Sequence, residues 1–208
     1  WSCGSNWFRN KRMETLRREL AIGLEIADLI PPLGQLRIDV FYDFPYLYEG
    51  SLEYEKNYLQ IYTQNPLSIA FGVFDGDKLV GATTGMPLNA ESQEVQQPFI
   101  DRGMHVDEIF YFGESMLLDP YRGRGIGHLF FDIREAHALE HCFRTTDFCS
   151  VVRPEDHRLR PANYRSNTNF WTKRGYTEQN YCCEMTWLDR NETEETKKQL
   201  IFWTKEWK

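Results

Sequence analysis

The sequence of 208 residues lacks a long apolar run, an excess of positive charge and any Cys-x-x-Cys pair. No apolar stretch approaches the roughly 20 residues that cross a bilayer, so we expect no membrane span. The first residues, WSCGSNWFRNKR, lack the apolar core of a secretory signal. A net charge of −7 argues against nucleic acid or an anionic membrane as the main partner. What remains is an acidic chain that is long enough to bury a substantial core.

Cysteine is scarce and its count is odd. The five cysteines are Cys3, Cys142, Cys149, Cys182 and Cys183. This usage predicts reduced thiols and a cytoplasmic location rather than a disulfide framework. Neighbouring residues of a strand point to opposite faces, so Cys182 and Cys183 are poor joint ligands and we expect no bound metal. We interpret Cys149 as a core thiol rather than a nucleophile.

No internal repeat or low-complexity linker divides the chain, so we predict one domain. The sequence starts with Trp1 rather than with methionine. We interpret residues 1–12 as an N-terminal extension or an added segment, with Met13 as the natural start. The single domain then covers residues 13–208.

The order of elements predicts a mixed α+β fold. Apolar spacing predicts helices over residues 33–44, from the N-cap Ser51 onward, from residue 126 and over residues 162–174. Strands are expected over residues 14–24, 109–118, 145–152, 176–187 and 200–207, with a hairpin over residues 68–88 that turns at Asp75-Gly76-Asp77. Because hairpins alternate with helices, we expect a sheet that is partly antiparallel and partly parallel.

The most informative stretch is LLDPYRGRGIGHLFF, where alternating glycines lie between a strand and a helix. Such a turn exposes backbone amides at a helix N-terminus and therefore favours phosphate. A Walker A loop would need Lys-Ser/Thr after Gly127, and the dinucleotide fingerprint would need glycine at His128. A third pattern, Arg/Gln-x-x-Gly-x-Gly, is matched by Arg122, Gly125 and Gly127.

This motif resembles the pyrophosphate loop of the GNAT N-acetyltransferase superfamily. The hairpin DGDKLVGATTG before the motif and FWTKRGY after it fit the same family, over about residues 14–188. The resemblance implies a GNAT-like central sheet that is flanked by helices, with a splayed parallel strand pair holding acetyl-CoA. The donor-binding residues that it implies are Met116, Leu117, Leu118, Arg122, Gly123, Arg124, Gly125, Ile126, Gly127 and His128.

The resemblance also implies catalytic candidates. Family enzymes often place a glutamate on the strand before the motif, which makes Glu114 the first candidate for the proton acceptor. The alternative for this residue is an ion pair with an arginine of residues 153–165. The family's usual tyrosine, four residues before Gly175, is Trp171 here, so Tyr164 is the candidate acid unless the thiolate leaves unaided. His157 is a secondary candidate.

The predicted function is acetyl-CoA-dependent transfer of an acetyl group to a primary amine, by direct attack in a ternary complex. The alternative is a non-catalytic acyl-CoA-binding module that regulates a partner. The family's substrate-covering segment implies that Tyr46 and Tyr48 line the acceptor pocket. We expect a small-molecule amine rather than a protein as the acceptor, and a homodimer is compatible with these predictions.

Overall fold

The computed structural model describes residues 16–208. The predicted extension over residues 1–12 and Cys3 therefore lie outside the described residues. The helices are α1 (Ile30–Phe41), α2 (Leu52–Leu59), α3 (Gln93–Ile100), α4 (Ile126–Glu140) and α5 (Thr168–Lys173). The strands are β1 (Arg17–Ile22), β2 (Ile69–Asp75), β3 (Lys78–Pro87), β4 (Ile109–Tyr111), β5 (Ser115–Leu117), β6 (Thr145–Val151), β7 (Thr177–Trp187) and β8 (Thr196–Glu206).

Local sequence signals explain several of these boundaries. Pro31 and Pro32 occupy the first turn of α1, where a missing amide costs little. The Oγ of Ser51 accepts a hydrogen bond from the amide of Tyr54 at 3.3 Å, which confirms Ser51 as the N-cap of α2. β2 and β3 form the predicted hairpin, and its turn contains Gly76 with φ of +59°.

The eight strands form one sheet in the order β1-β2-β3-β4-β6-β8-β7, and β5 also pairs with β3. All pairings are antiparallel except that of β4 with β6, which is parallel over three residues. The predicted mixed sheet with a parallel strand pair is confirmed. β4 and β5 are two pieces of the predicted strand over residues 109–118, and both lie against β3.

Apolar side chains cover both faces of the sheet. On one face, α1 and α2 bury residues such as Leu33 and Leu36, and α3 buries Val95 and Phe99. On the other face, Phe130 and Phe131 of α4 pack against the sheet. Each fully buried side chain of this size contributes about 1.5–3 kcal/mol. Within residues 16–208, no helix is both long and apolar enough to cross a membrane.

One buried carboxyl belongs to the sheet itself. Asp147 of β6 is fully buried, and its Oδ2 accepts a hydrogen bond from the hydroxyl of Thr204 on β8. Its Oδ1 has no partner within the described residues. Burial raises the pKa of Asp147 well above its ordinary value, so the carboxyl is protonated well above the pH at which an exposed aspartate ionises.

Three predicted boundaries were wrong. The first helix, expected over residues 33–44, spans Ile30–Phe41, because the two prolines fit its first turn. The helix expected over residues 162–174 begins only at Thr168, because the preceding segment forms a turn in which the amide of Tyr164 donates to Pro161 O at 2.9 Å. The last strand starts at Thr196 rather than at residue 200, since its polar first residues pair with β7.

Candidate active site

The loop between β5 and α4 holds two glycines in the left-handed conformation. Gly123 has φ of +70°, and Gly125, the N-cap of α4, has φ of +85°. Glycine adopts such angles without the strain that other residues suffer. A Cβ built on either glycine meets no protein atom within 4 Å. The backbone at Gly123 and Gly125 therefore faces open space, and we call the segment Arg122–His128 the donor loop.

The amides of the donor loop are available to a ligand. The amide of Arg122 donates to Asp119 O at 3.1 Å, and that of His128 donates to Gly125 O at 3.0 Å. Between them, the five amides of residues 123–127 make no hydrogen bond within the part of the chain that the structure describes. Free amides at the start of a 15-residue helix, together with the helix dipole, favour an anion. This arrangement fits a pyrophosphate.

Two arginine side chains support the donor loop from the outside. Arg122 forms an ion pair with Asp119 at 2.8 Å, and its Nε donates to Leu117 O at 3.2 Å. Arg124 donates from Nη2 to Pro120 O at 2.6 Å. Both side chains thus bind their own loop, which leaves the backbone as the surface that a ligand meets.

The strand that leads into the donor loop has an open edge. The amide of Leu118 donates to Val80 O, and the carbonyl of Glu114 accepts from the amide of Thr84, so these residues bond to β3. Because antiparallel strands bond through alternate residues, the amides and carbonyls of Ser115 and Leu117 point away from β3. Met116 bonds to β3 and buries its side chain. The free edge available for the donor therefore comes from the amides of Ser115 and Leu117 and the carbonyl of Ser115, since Leu117 O accepts from Arg122.

A gap separates this edge from β6. The parallel pairing of β4 with β6 ends where the amide of Phe112 donates to Asp147 O at 2.7 Å. Within the described residues, no strand pairs with β5 on its β6 side. We call the space between β5 and the end of β6 the strand gap. It opens next to the donor loop and is the place where the predicted donor would lie.

Gly113 causes the break between β4 and β5. A Cβ on this residue would collide with the hydroxyl of Tyr62, so only glycine fits. The carbonyl of Glu114 at the break accepts a hydrogen bond at 3.2 Å from Nη1 of Arg134. Arg134 belongs to α4, which covers the face of the sheet opposite α1 and α2. Burial lowers the pKa of Arg134 to about 9, so the side chain remains protonated at neutral pH.

Glu114 lies at the break with both carboxylate oxygens occupied. Its Oε1 pairs with Nη1 of Arg37 on α1. Its Oε2 accepts hydrogen bonds from Tyr62 at 2.6 Å and from Thr84 at 2.7 Å. The side chain is 3% exposed. The expected ion pair with an arginine of residues 153–165 was therefore wrong, since the partner is Arg37.

Arg37 connects Glu114 to the predicted acceptor side. It also pairs through Nε with the buried Glu55 of α2, whose Oε1 accepts from the hydroxyl of Tyr48 at 2.7 Å. The ring of Tyr46 packs on Phe41, with 4.4 Å between the centroids. Burial raises the pKa of both tyrosines, so both hydroxyls are protonated at neutral pH. Tyr46 and Tyr48 thus lie on the α1–α2 side of the strand gap.

Among known proteins, similarity is found in structure and not in sequence. No protein-family model and no curated protein matches the chain. An N-acetyltransferase from Staphylococcus aureus superposes with a TM-score of 0.57 at 10% identity, covering 91% of this chain and 98% of its own. The ribosomal-protein-alanine N-acetyltransferase from Brucella melitensis gives 0.58 at 12%, covering 91% and 99%. A GCN5-related N-acetyltransferase from Kribbella flavida gives 0.54 at 16%, covering 94% and 99%.

The chain has the GNAT fold. At these identities the likeness concerns the fold, and it spans nearly the whole of each compared chain. The fold class implied by the motif is therefore confirmed, whereas the site residues within this GNAT fold rest on their own geometry.

In this GNAT fold, Tyr164 and His157 lie on one side of the site. The ring of Tyr164 meets that of Phe44 edge-on at 4.7 Å, and the charges of Arg160 and Arg122 act on its hydroxyl. Burial raises the pKa of Tyr164, so the hydroxyl holds a proton that it can donate. His157 lies 5.7 Å from Phe44, and its Nδ1 accepts from the amide of Leu159 at 3.2 Å. Tyr164 therefore lies beside Phe44, two residues before Tyr46 in the chain.

Trp171 belongs to the core of the GNAT fold. Its ring lies 5.1 Å from those of Phe148 and Trp203. The tryptophan therefore fills space beneath α5 and offers no proton to the strand gap.

Sequence reasoning missed the residues that hold Glu114. Arg37, Glu55, Tyr62 and Arg134 all contribute to its surroundings from distant parts of the chain. A buried arginine in an otherwise apolar helical stripe was the available signal for Arg37. The described cysteines are all free, as predicted. In residues 16–208, no three potential ligands come together at a metal-binding distance.

Proposed function

We propose that the protein is an acetyl-CoA-dependent N-acetyltransferase that acts on a primary amine by direct attack in a ternary complex. The observation that carries this proposal is the continuity of two surfaces. The five free amides of the donor loop follow directly on the open edge of β5. A phosphate-binding turn alone would not need the second surface.

In this proposal, the residues of the chain have the following roles. The amides of residues 123–127 bind the pyrophosphate, and the backbone of Ser115 and Leu117 binds the extended arm of the donor. Bound acetyl-CoA supplies the acetyl group as a thioester. Tyr46 and Tyr48 line the acceptor side, and Tyr164 donates a proton to the departing thiolate. Holding both reactants in the strand gap keeps the amine close to the thioester.

The assignment of Glu114 as the proton acceptor stays a prediction. Its contacts favour a positioning role, because Arg37, Tyr62 and Thr84 occupy both oxygens. In that role Glu114 holds α1 against the break between β4 and β5. Another residue must then accept the proton of the acceptor amine.

The alternative is a non-catalytic module that binds acyl-CoA. The packing of the half-buried Trp171 against the core favours it, because the residue at that position cannot act as an acid.

Turnover of acetyl-CoA with a panel of primary amines separates the two functions. We expect release of free thiol in equal amount to acetylated amine, with intersecting lines in double-reciprocal plots, as a ternary complex requires. Tight coenzyme A binding in calorimetry without thiol release from any amine would support the binding module. Absence of coenzyme A binding would contradict both.

A further inference from the structure

Glu91 is a buried carboxylate that the steps above do not use. It follows the short helical turn Leu88–Ala90 at the end of β3 and is 7% exposed. The amide of Ser92 donates to its Oε2 at 3.0 Å. Its Oε1 accepts no hydrogen bond from the described residues and is not among the fully enclosed unpaired atoms. One oxygen of Glu91 is therefore left without a hydrogen-bond partner in the described part of the chain, although the side chain is more than nine-tenths buried.

No cation of the described chain pairs with this carboxylate. Glu55 and Glu114, the other deeply buried glutamates near the site, each pair with Arg37. Arg37 acts on Glu91 through its charge but forms no ion pair with it. A buried carboxylate without a counterion costs stability. Such a residue is commonly found where the function needs it.

Tyrosine rings pack around the segment that carries Glu91. The preceding residue, Ala90, packs with the cluster that contains Tyr58 and Tyr62, and Leu88 packs with the cluster that contains Tyr111. The charge of Glu91 helps to raise the pKa of these three tyrosines. It also acts on the thiol of Cys149, which lies 3.0 Å from the hydroxyl of Tyr111. Cys149 is the second residue of β6 after Asp147, where the parallel pairing ends. The segment of Glu91 therefore packs with Tyr62, whose hydroxyl donates to Glu114 beside the strand gap.

We propose that Glu91 binds the ammonium group of the acceptor and accepts its proton, with the tyrosine rings as walls. This inference rests on the proposed function and specifies its substrate class, a small primary amine that arrives as a cation. A carboxylate and aromatic faces are the groups that bind ammonium ions in proteins.

The proposed step balances in atoms and charge. The ammonium gives one proton to Glu91 and becomes a neutral amine. The amine nitrogen then forms a bond to the thioester carbonyl carbon, and the carbon–sulfur bond breaks with its electron pair on sulfur. A proton from the attacking nitrogen reaches the sulfur, through Tyr164 in the proposed mechanism. Glu91 finally returns its proton to solvent.

Burial raises the pKa of Glu91 above its ordinary value, which brings the carboxylate closer to a useful base at neutral pH. The titratable and charged groups that face it are Arg37 on α1, Tyr58 on α2, Tyr62 after α2, Glu94 on α3, Tyr111 on β4 and Cys149 on β6. We expect kcat/KM to fall at low pH as Glu91 becomes protonated. This fall should disappear when the carboxylate is removed.

The test is Glu91→Gln with Glu94→Gln as the matched control. Both substitutions remove one negative charge from the same segment, but Glu94 is exposed. Glu91→Gln should lower kcat/KM for the best of butylamine, 2-phenylethylamine and spermidine by about 10²- to 10⁴-fold. Coenzyme A affinity should not change. Thermal stability should be equal or higher, because an uncompensated charge leaves the interior. Glu91→Asp should recover part of the rate.

A second readout does not depend on turnover. The N,N-dimethyl derivative of the best amine should bind to the coenzyme A complex, and Glu91→Gln should weaken this binding by about 10- to 10²-fold. A folded Glu91→Gln protein with wild-type kcat/KM would overturn the inference alone. Equal loss in Glu94→Gln, or loss in Glu114→Gln but not in Glu91→Gln, would also overturn it. A wild-type protein that acetylates no amine would overturn the inference and the proposed function together.

Discussion

Substitution of Gly125 by alanine tests the donor loop most directly. Gly125 has φ of +85° and begins α4, and its Cβ would project into the open space where the pyrophosphate is expected. Hydrogen bonds to a charged group contribute about 1.5–3 kcal/mol each. Loss of two bonds from the free amides would therefore cost about 3–6 kcal/mol. We expect coenzyme A to bind on the order of 10² to 10⁴ times more weakly.

Backbone strain must be separated from this effect, and Gly103 offers the control. It also has a positive φ, of +69°, and a Cβ there meets no atom within 4 Å. An alanine in this conformation costs about 1–2 kcal/mol at either position. Both variants should therefore lose similar stability in urea unfolding, and only Gly125→Ala should lose coenzyme A affinity in calorimetry. Unchanged affinity in folded Gly125→Ala, or equal weakening in both variants, would refute the assignment.

Three further predictions concern the site and the core. Arg37→Met leaves two buried carboxylates without a cation, so we expect a loss of about 3–5 kcal/mol in urea unfolding. The exposed ion pair of Arg17 with Glu19 is the control, and Arg17→Met should lower the free energy of unfolding by less than about 1 kcal/mol. Similar losses in both variants would contradict the prediction. Tyr164→Phe should lower kcat by about 10²-fold without changing coenzyme A affinity, and an unchanged kcat would remove the tyrosine from the mechanism. Burial raises the pKa of Asp147, so the folded protein keeps a proton that the unfolded chain loses as pH rises. In thermal unfolding between pH 4 and 8, the stability of the wild type should therefore fall relative to that of Asp147→Asn. A stability difference that does not change with pH would contradict this prediction.

The donor loop could be predicted because its signals are local. The alternating glycines, the preceding strand and the following amphipathic helix lie within one short segment, and each has its own physical reason. The hairpin of β2 and β3 was predictable for the same reason, since Gly76 marks a turn between two β-rich runs.

The surroundings of Glu114 could not be predicted, because they depend on tertiary contacts. Arg37 is 77 positions away in sequence, and its place in an apolar helical stripe does not indicate which carboxylates it pairs with. The start of α5 was missed because a turn that ends at Tyr164 replaced the first part of the expected helix. Glu91 was missed because its polar neighbours indicate a loop, whereas the fold buries it.

The break at Gly113 also divides the sheet into two halves. β1, β2, β3 and β5 form one half of the sheet, and β6, β8 and β7 form the other. The halves are joined through the three residues of β4, two of which pair with β3. A ligand that bonds to the edges of both β5 and β6 would act as the missing length of strand. Donor binding and the stiffening of the whole sheet are then a single event, which would appear as slower amide exchange in both halves at once.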